Sequence, residues 1–542
     1  MKGLKNKFWQ WGLLLASSCC LLNVGFAQAV PEVLVPPSSF KGFNGLNFDA
    51  AGQLYVTSII EQTVYRVNVI TGEYETFINR PEGQADDFFF KPDGQIFYTA
   101  TIEGEVRSFN PRTGNFKTIV SGIPGVNPII QNEQSGRVFV AQALNPALKG
   151  LYEIDLNGLT PPRLILNQPG LNAFDFGPDK LLYSPLQFTG EIAKINVDTG
   201  VIQKVASGLK TPVAVKFNSK GELFAVDIAR GEILKINTTT GQSELIVKLQ
   251  PGLDNIAFGL NDLLYVTNNV DTGITEVNTQ TRVVRKVIQS GGLTAPGGIA
   301  VHNDNLYVAD ATSYRILDRR TGRIQKTFGG YAAGIPFPTA VSVNDAHAII
   351  SSWFANAVHR LDRNTGDVLN TYTGFAAPYD AVELSDGSIL VADCALNQIT
   401  QILDKSGSNR RIVAGGLSCP TGLALIDDST VLVTEYLGNK LSRINLKTGE
   451  RQVIASNLSS PEGVAYHPHR IAVVADTGTQ SLKAIHVDTG RSVILKKNLP
   501  IGFEGFPSGP KPFIFTGVAI AKDTVYITGD VDNSIRTFKL PN

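Results

Sequence analysis

The sequence predicts an all-β chain built by repeating one unit. No window holds a sustained 3.6-residue apolar period. Gly is abundant (52) and Met nearly absent (1), a balance that suits many turns and few long helices. A pattern of four short strands also returns about every 42 residues. Four antiparallel strands per unit of that length make a β-propeller blade.

The stretch from Thr211 to Gly241 shows the unit most plainly. Val213, Val215 and Phe217 alternate with Lys216 and Asn218, and Gly221 supplies the positive φ that the following hairpin needs. Leu223-Phe224-Ala225-Val226 is a second strand, Ile233 to Ile236 a third and Ser243 to Val247 a fourth.

The second strand aligns the units. It appears at Leu54, Ile96, Val138, Leu182, Leu223, Leu264, Leu306, Ala348, Ile389, Val431, Ala472 and Val525. Spacings run from 41 to 44 residues except the last, which is 53. Twelve blades are too many for one ring, since rings hold four to eight. The expected architecture is two tandem six-bladed β-propellers of four-stranded antiparallel blades, with a seven-plus-five split as the alternative.

The chain stops on a third strand, Ile535 to Leu540, and begins on an outer strand, Glu32 to Val35. The turn Asn278 to Arg282 lacks the Thr-Gly found at Thr199-Gly200 and Thr240-Gly241. These features predict an exchange: Val33 to Val35 completes blade six, and Val283 to Ile288 completes blade twelve, so each ring closes on its own first strand. The expected domains are 1–29, 30–279 and 280–542.

Residues 1–29 read as a signal peptide. Lys2, Lys5 and Lys7 precede an apolar run from Trp11 to Phe26, and Ala27-Gln28-Ala29 is a small-x-small cleavage pattern. An uncleaved anchor and a lipoprotein signal at Cys19 are the alternatives. Removing three lysines leaves 45 basic against 48 acidic residues, too neutral to argue for nucleic acid or anionic lipid. The expectation is a secreted or periplasmic monomer, off the membrane once cleaved, that takes a small-molecule or protein ligand at a rim. Cys394 and Cys419 are then the only cysteines left, and on one rim of neighbouring blades they are expected to pair.

Pro420-Thr421-Gly422-Leu423-Ala424, Pro461-Glu462-Gly463-Val464-Ala465, Asp93-Gly94 and the Val-Ala-Asp triplets ending at Asp310, Asp393 and Asp476 carry a resemblance. The chain resembles the six-bladed propellers of the gluconolactonase/senescence-marker family and the related NHL-repeat and virginiamycin-B-lyase-like proteins. The triplet aspartates themselves read as strand-end acceptors for backbone N–H groups.

Chemistry in such a ring sits where the inner strands enter the central channel. About eight residues before the turn of each first hairpin, the first ring presents Asn44, Asp86, Asn127, Asn172, Val213 and Asp254. The second presents Gly297, Thr339, Tyr379, Thr421, Glu462 and Thr516. Oxygen ligands at five of six positions suit Ca²⁺ or Mg²⁺, so Asn44, Asp86, Asn127, Asn172 and Asp254 are the candidate metal set. The alternative is that they cap strand ends and hold channel water. The resemblance implies a divalent metal beside the substrate. It suggests a metal-dependent lactonase or esterase with Asp86 or Asp254 as ligand or base and Arg230 on a substrate carboxylate or oxyanion. No ring-one position carries the Glu usual in that family. A non-catalytic binding module and a virginiamycin-type lyase are the rivals. No GxSxG, Walker loop, HExxH or paired CxxC occurs.

The second ring's rim is aromatic, with Trp353, Phe354, Tyr379 and Tyr436. About eleven extra residues fall within 499–515, which carry Phe503, Phe506 and Phe513. That loop is expected to pack over the channel or against ring one, or to serve as a lid or partner surface. All six His lie in the second half, and His467-Pro468-His469 reads as a turn.

Overall fold

A computed structural model describes residues 32–143, 147–289, 291–507 and 509–540. The predicted signal peptide lies outside the described residues. Among the described residues no helix is long and apolar enough to cross a membrane.

The chain forms twelve four-stranded antiparallel sheets. We number them 1 to 12 from the sheet that starts at Leu46–Phe48 to the sheet that starts at Val518–Ala521. Second strands such as Leu54–Ser58, Ile96–Ala100 and Leu223–Asp227 are buried along their whole length. A neighbouring sheet covers each face, so continuous apolar runs, not alternating ones, are what burial selects there. Outer strands are the more exposed ones, as in Tyr74–Ile78, whose first three residues face solvent.

Adjacent sheets pack through apolar clusters, and the pattern is cyclic. Phe43, Leu46, Val56 and Val67 of sheet 1 pack with Ala257, Tyr265 and Ile274 of sheet 6. Leu306 and Val308 of sheet 7 pack with Tyr526 and Ile535 of sheet 12. Burying each such side chain contributes about 1.5–3 kcal/mol. At several steps a second-strand hydroxyl reaches the backbone of the next sheet: Thr57 to the Asp86 carbonyl (3.1 Å), Thr99 to Asn127 (2.5 Å) and Ser351 to Tyr379 (2.6 Å). Thr267 of sheet 6 donates to Asn44 at the start of sheet 1, and Thr528 of sheet 12 donates to Gly297 of sheet 7.

Where a glycine follows a mouth position, as at Gly45, Gly422 and Gly463, it lets neighbouring sheets come this close. A Cβ on Gly45 would lie 2.2 Å from the Asp86 carbonyl oxygen, and one on Gly422 would lie 2.4 Å from that of Glu462. The Thr-Gly and Glu-Gly pairs of the repeat therefore encode backbone approach.

The expected strand exchange does not occur. Val33–Val35 pairs with Ser534–Lys539, so the first strand completes sheet 12, not sheet 6. Val284–Ile288 stays with Gly273–Val277 and completes sheet 6. The turn between those two strands is an ordinary hairpin. Asn278 Oδ1 accepts the Gln280 and Thr281 amides, and Arg282 takes φ 62°, the left-handed conformation that Gly200 and Gly241 adopt at φ 71° and 76°. An L-residue bears that conformation at about 1–2 kcal/mol, so the missing Gly did not signal a crossing. Sheets 1 to 6 thus form an insertion between the first strand and sheet 7, and the break between the two groups falls between Ile288 and Pro296.

Candidate binding chamber

The six first-group mouth positions converge. Asn44, Asp86, Asn127, Asn172, Val213 and Asp254 all line one cavity of about 440 Å³. They form its floor, because each stands where an inner strand begins at the axis. The second group supplies the opposite wall with Tyr331, Phe337, Trp353, Phe354 and Phe513. Phe337 lies 5.1 Å from Trp353 and 5.5 Å from Phe513, ring centre to ring centre, and the Trp353 indole N–H donates to the Phe513 carbonyl at 3.1 Å.

The floor is a hydrogen-bonded set of carboxylates and amides. Asp86 Oδ2 accepts from Asn127 Nδ2 at 2.6 Å and from the Thr101 hydroxyl at 3.1 Å. Asp254 Oδ2 accepts from Asn44 Nδ2 at 3.2 Å. Asn172 turns its amide N–H to Gln187 Oε1 at 3.1 Å. Burial pushes both carboxyls up. Asp254 is raised to about 7, and Asp86 is raised well above the usual carboxylate range, with the Asp254 charge adding to the effect of burial. The Tyr331 phenol is also pushed up, by burial and then by the charges of Asp86 and Asp254, so the opposite wall faces this pair. Tyr331 lies deep within the protein, yet 48 % of its surface is accessible, because the chamber gives it room.

The amide oxygens bear on the metal expectation. Asn44 Oδ1 accepts the Ile59 amide at 3.2 Å, and Asn172 Oδ1 accepts the Ala173 amide at 2.8 Å. Both oxygens thus already hold a backbone amide, while both Nδ2 groups donate to neighbouring side chains. Among the described residues no three of His, Cys, Asp and Glu come together in a group able to hold a metal. Asp86, Asp254 and the Asn127 oxygen remain, so a hard cation here would draw most of its oxygen shell from water.

Arg230 is absent from the chamber lining. Its guanidinium bonds the Gly208 carbonyl at 3.0 Å and lies 3.8 Å from Asp227, half exposed on the loop after its strand.

The second group's own mouth is filled by the 499–515 loop. The Tyr379 hydroxyl donates to the Pro512 carbonyl, and Glu462 Oε2 accepts the Thr516 amide at 2.6 Å. Phe503, Phe506 and Phe513 are buried with Ile60, Ala295 and Ala311. The loop also ties the groups together: Arg80 donates to the Glu504 carbonyl, and both Arg80 and Lys41 lie over the Phe503 ring. Cys394 and Cys419 form a disulfide beside it, with sulfurs 2.02 Å apart. The triplet aspartates are strand-end acceptors. Asp310 takes the Thr294 and Ala295 amides, Asp393 those of Ala376 and Ala377, and Asp476 that of Ser459.

Sequence reasoning missed Tyr331 and Phe337. Both sit in the Gly- and Pro-bearing connection between sheets 7 and 8, and aromatics among such residues were the available signal. It also missed the inner-strand acids Asp87, Asp175 and Asp380, which hold the Ile129, Phe217 and Leu423 amides of a neighbouring sheet at 2.9–3.1 Å.

No protein-family model and no curated protein matches the chain. Solved structures do. Selenomethionine-substituted virginiamycin B lyase from Staphylococcus aureus is similar over 51 % of this chain and 94 % of its own, at 16 % identity and a TM-score of 0.37. A streptogramin B lyase is similar over 51 % of this chain and 93 % of its own, at 17 % identity and 0.38. The extracellular domain of a one-component system from B. thetaiotaomicron is similar over 84 % of this chain and 71 % of its own, at 11 % identity and 0.28.

Proposed function

We propose that this chain is an exported small-molecule-binding protein. In this reading two six-bladed β-propellers, sheets 1–6 and 7–12, enclose a ligand between the mouth of the first and an aromatic wall of the second. The cyclic hydrogen bonds Thr267 to Asn44 and Thr528 to Gly297 support the two rings. The Cys394–Cys419 bridge supports an oxidising compartment. The observation that carries the binding reading is the chamber itself. About 440 Å³, with apolar walls and a few convergent polar groups, is the make-up of a small-ligand pocket.

Trp353 makes the reading testable. It is one of three tryptophans, and the other two are Trp9 and Trp11. A library of small aromatic compounds is screened by the fluorescence difference between the protein and Trp353→Phe. Binders are expected, and Thr211→Phe, which fills the chamber from its lining, is expected to abolish their binding. Binding that survives Thr211→Phe, or no compound that moves Trp353, overturns the reading.

One observation favours catalysis as a second reading. A buried carboxyl raised to about 7 is poised as a general base near neutral pH, and Asp254 has that property beside Asp86. A hydrolase acting on a lactone or ester, or a lyase, would use Asp254 to take a proton. Turnover of such substrates that is lost in Asp254→Asn supports it.

A further inference from the structure

The chamber floor breaks a rule that the rest of the molecule keeps. Eight carboxylates among the described residues are buried: Asp86, Asp227, Asp310, Asp393, Glu435, Glu462, Asp476 and Asp530. Seven of them accept backbone amides: Asp227 from Lys210, Asp310 from Thr294, Asp393 from Ala376, Glu435 from Ser418, Glu462 from Thr516, Asp476 from Ser459 and Asp530 from Phe503. Some add a cation, as Asp310 does with Arg315 at 2.6 Å and Asp476 with Lys483 at 2.5 Å. These acids complete the fold. Asp86 holds only the neutral side chains of Thr101 and Asn127. Asp254 likewise has the neutral Asn44 amide as its partner. Neither Asp86 nor Asp254 forms an ion pair among the described residues.

A second, independent observation lies beside them. Asn127 is 6 % exposed and lines the chamber, and its Oδ1 has no hydrogen-bond partner. An unmet acceptor next to two uncompensated carboxyls leaves the floor short of donors and of positive charge. The protein's own cations do not fill that need. Lys210 lines the chamber but is exposed and pairs with neither acid, while Lys41 donates to the Asp530 carbonyl and Asn533. Across the cavity stand Tyr331, Trp353, Phe337 and Phe513, whose ring faces attract a cation and cover a flat apolar body.

Resting on the binding reading above, the geometry points to an organic cation as the ligand: an ammonium that donates to Asp86, Asp254 and Asn127 Oδ1, carried on an apolar or aromatic body against the second group's wall. An ammonium would favour the ionised form of both carboxyls against the effect of burial, an anion would oppose it, and a neutral molecule would supply no counter-charge. A bare divalent metal finds the Asn44 and Asn172 oxygens already engaged.

The test compares three probes of one shape, 2-phenylethylamine, 2-phenylethanol and 3-phenylpropionate, titrated at pH 8 and read through Trp353 fluorescence and calorimetry. The amine is expected to bind at least about tenfold tighter than the alcohol, the cost of one lost charge-assisted contact. The carboxylate should bind more weakly than either. Asp86→Asn and Asp254→Asn keep the side-chain shape, and each should bring the amine to within a few-fold of the alcohol measured in the same variant. Should the alcohol or the carboxylate match the amine in the unaltered protein, the cation inference falls and the binding reading stands. An amine preference that survives in the Asp86→Asn/Asp254→Asn double variant also overturns it. Displacement of the amine by Ca²⁺ or Mg²⁺ alone would return the site to a metal. If none of the three probes binds, the cation inference falls, and the library screen against Trp353→Phe decides the binding reading.

Discussion

The Thr267 hydroxyl donates to the Asn44 carbonyl at 2.6 Å across 223 residues of sequence. The same hydroxyl accepts the Asn255 amide at 3.1 Å. One side chain thus joins the last sheet of the first group to the first, as Thr528 does for the second group through Gly297 and the Gly517 amide.

Thr267→Val keeps the shape of the side chain and removes both bonds. It leaves a buried carbonyl and a buried amide unmet, so a loss of about 2 kcal/mol is expected in urea unfolding. Thr528→Val should cost a similar amount. A change of a few tenths in either variant would mean that apolar packing alone closes the cycle.

Tyr379 is fully buried, and its hydroxyl holds the Pro512 carbonyl of the loop that fills the second mouth. Tyr379→Phe should destabilise by about 1–3 kcal/mol and speed hydrogen exchange or proteolysis within residues 499–515. Unchanged protection of that loop would show that Phe503, Phe506 and Phe513 hold it without the bond.

Stability should fall as pH rises from about 4 to about 8. Burial raises Asp254 and Asp380 to about 7, Glu462 to about 8 and Asp530 to about 6. Over that window the native state keeps protons that the unfolded chain, titrating near 3.8 to 4.5, has already lost. The unfolded state therefore binds fewer protons, and the unfolding free energy has a negative slope with pH. Glu153, lowered to about 2 by Arg137, acts the other way, and its contribution is lost only in acid. Thermal melts at pH 5 and pH 8 check the sign, and Asp254→Asn should flatten part of the slope.

Protein exported by its native host should carry no alkylatable thiol before reduction, since Cys394 and Cys419 are bridged. The bond spans 25 residues, and Cys419→Ser should cost about 3 kcal/mol by the chain-entropy estimate. Two free thiols in unreduced protein, read by mass spectrometry, would contradict the bridge.

The blade count was legible in the sequence because each blade is local. Four strands joined by tight turns leave a repeat of about 42 residues whose turn and strand residues recur, and the mouth positions fall at a nearly constant offset before the first hairpin turn. That offset brought Asn44, Asp86, Asn127, Asn172 and Asp254 into one chamber. The disulfide was legible too, from two cysteines on one rim of adjacent blades. Closure was not. Arg282 in a left-handed turn looks in sequence like a broken repeat, and the partner of Val33–Val35 is chosen by an edge some 500 residues away. Nor could the sequence show that Asn44 and Asn172 spend their oxygens on nearby amides, since an amide's orientation is set by its neighbours in space. Only the tertiary structure set Tyr331, Phe337 and Trp353 opposite Asp86 and Asp254. The two sets come from separate repeats, and nothing periodic in the sequence records how one group of sheets docks on the other.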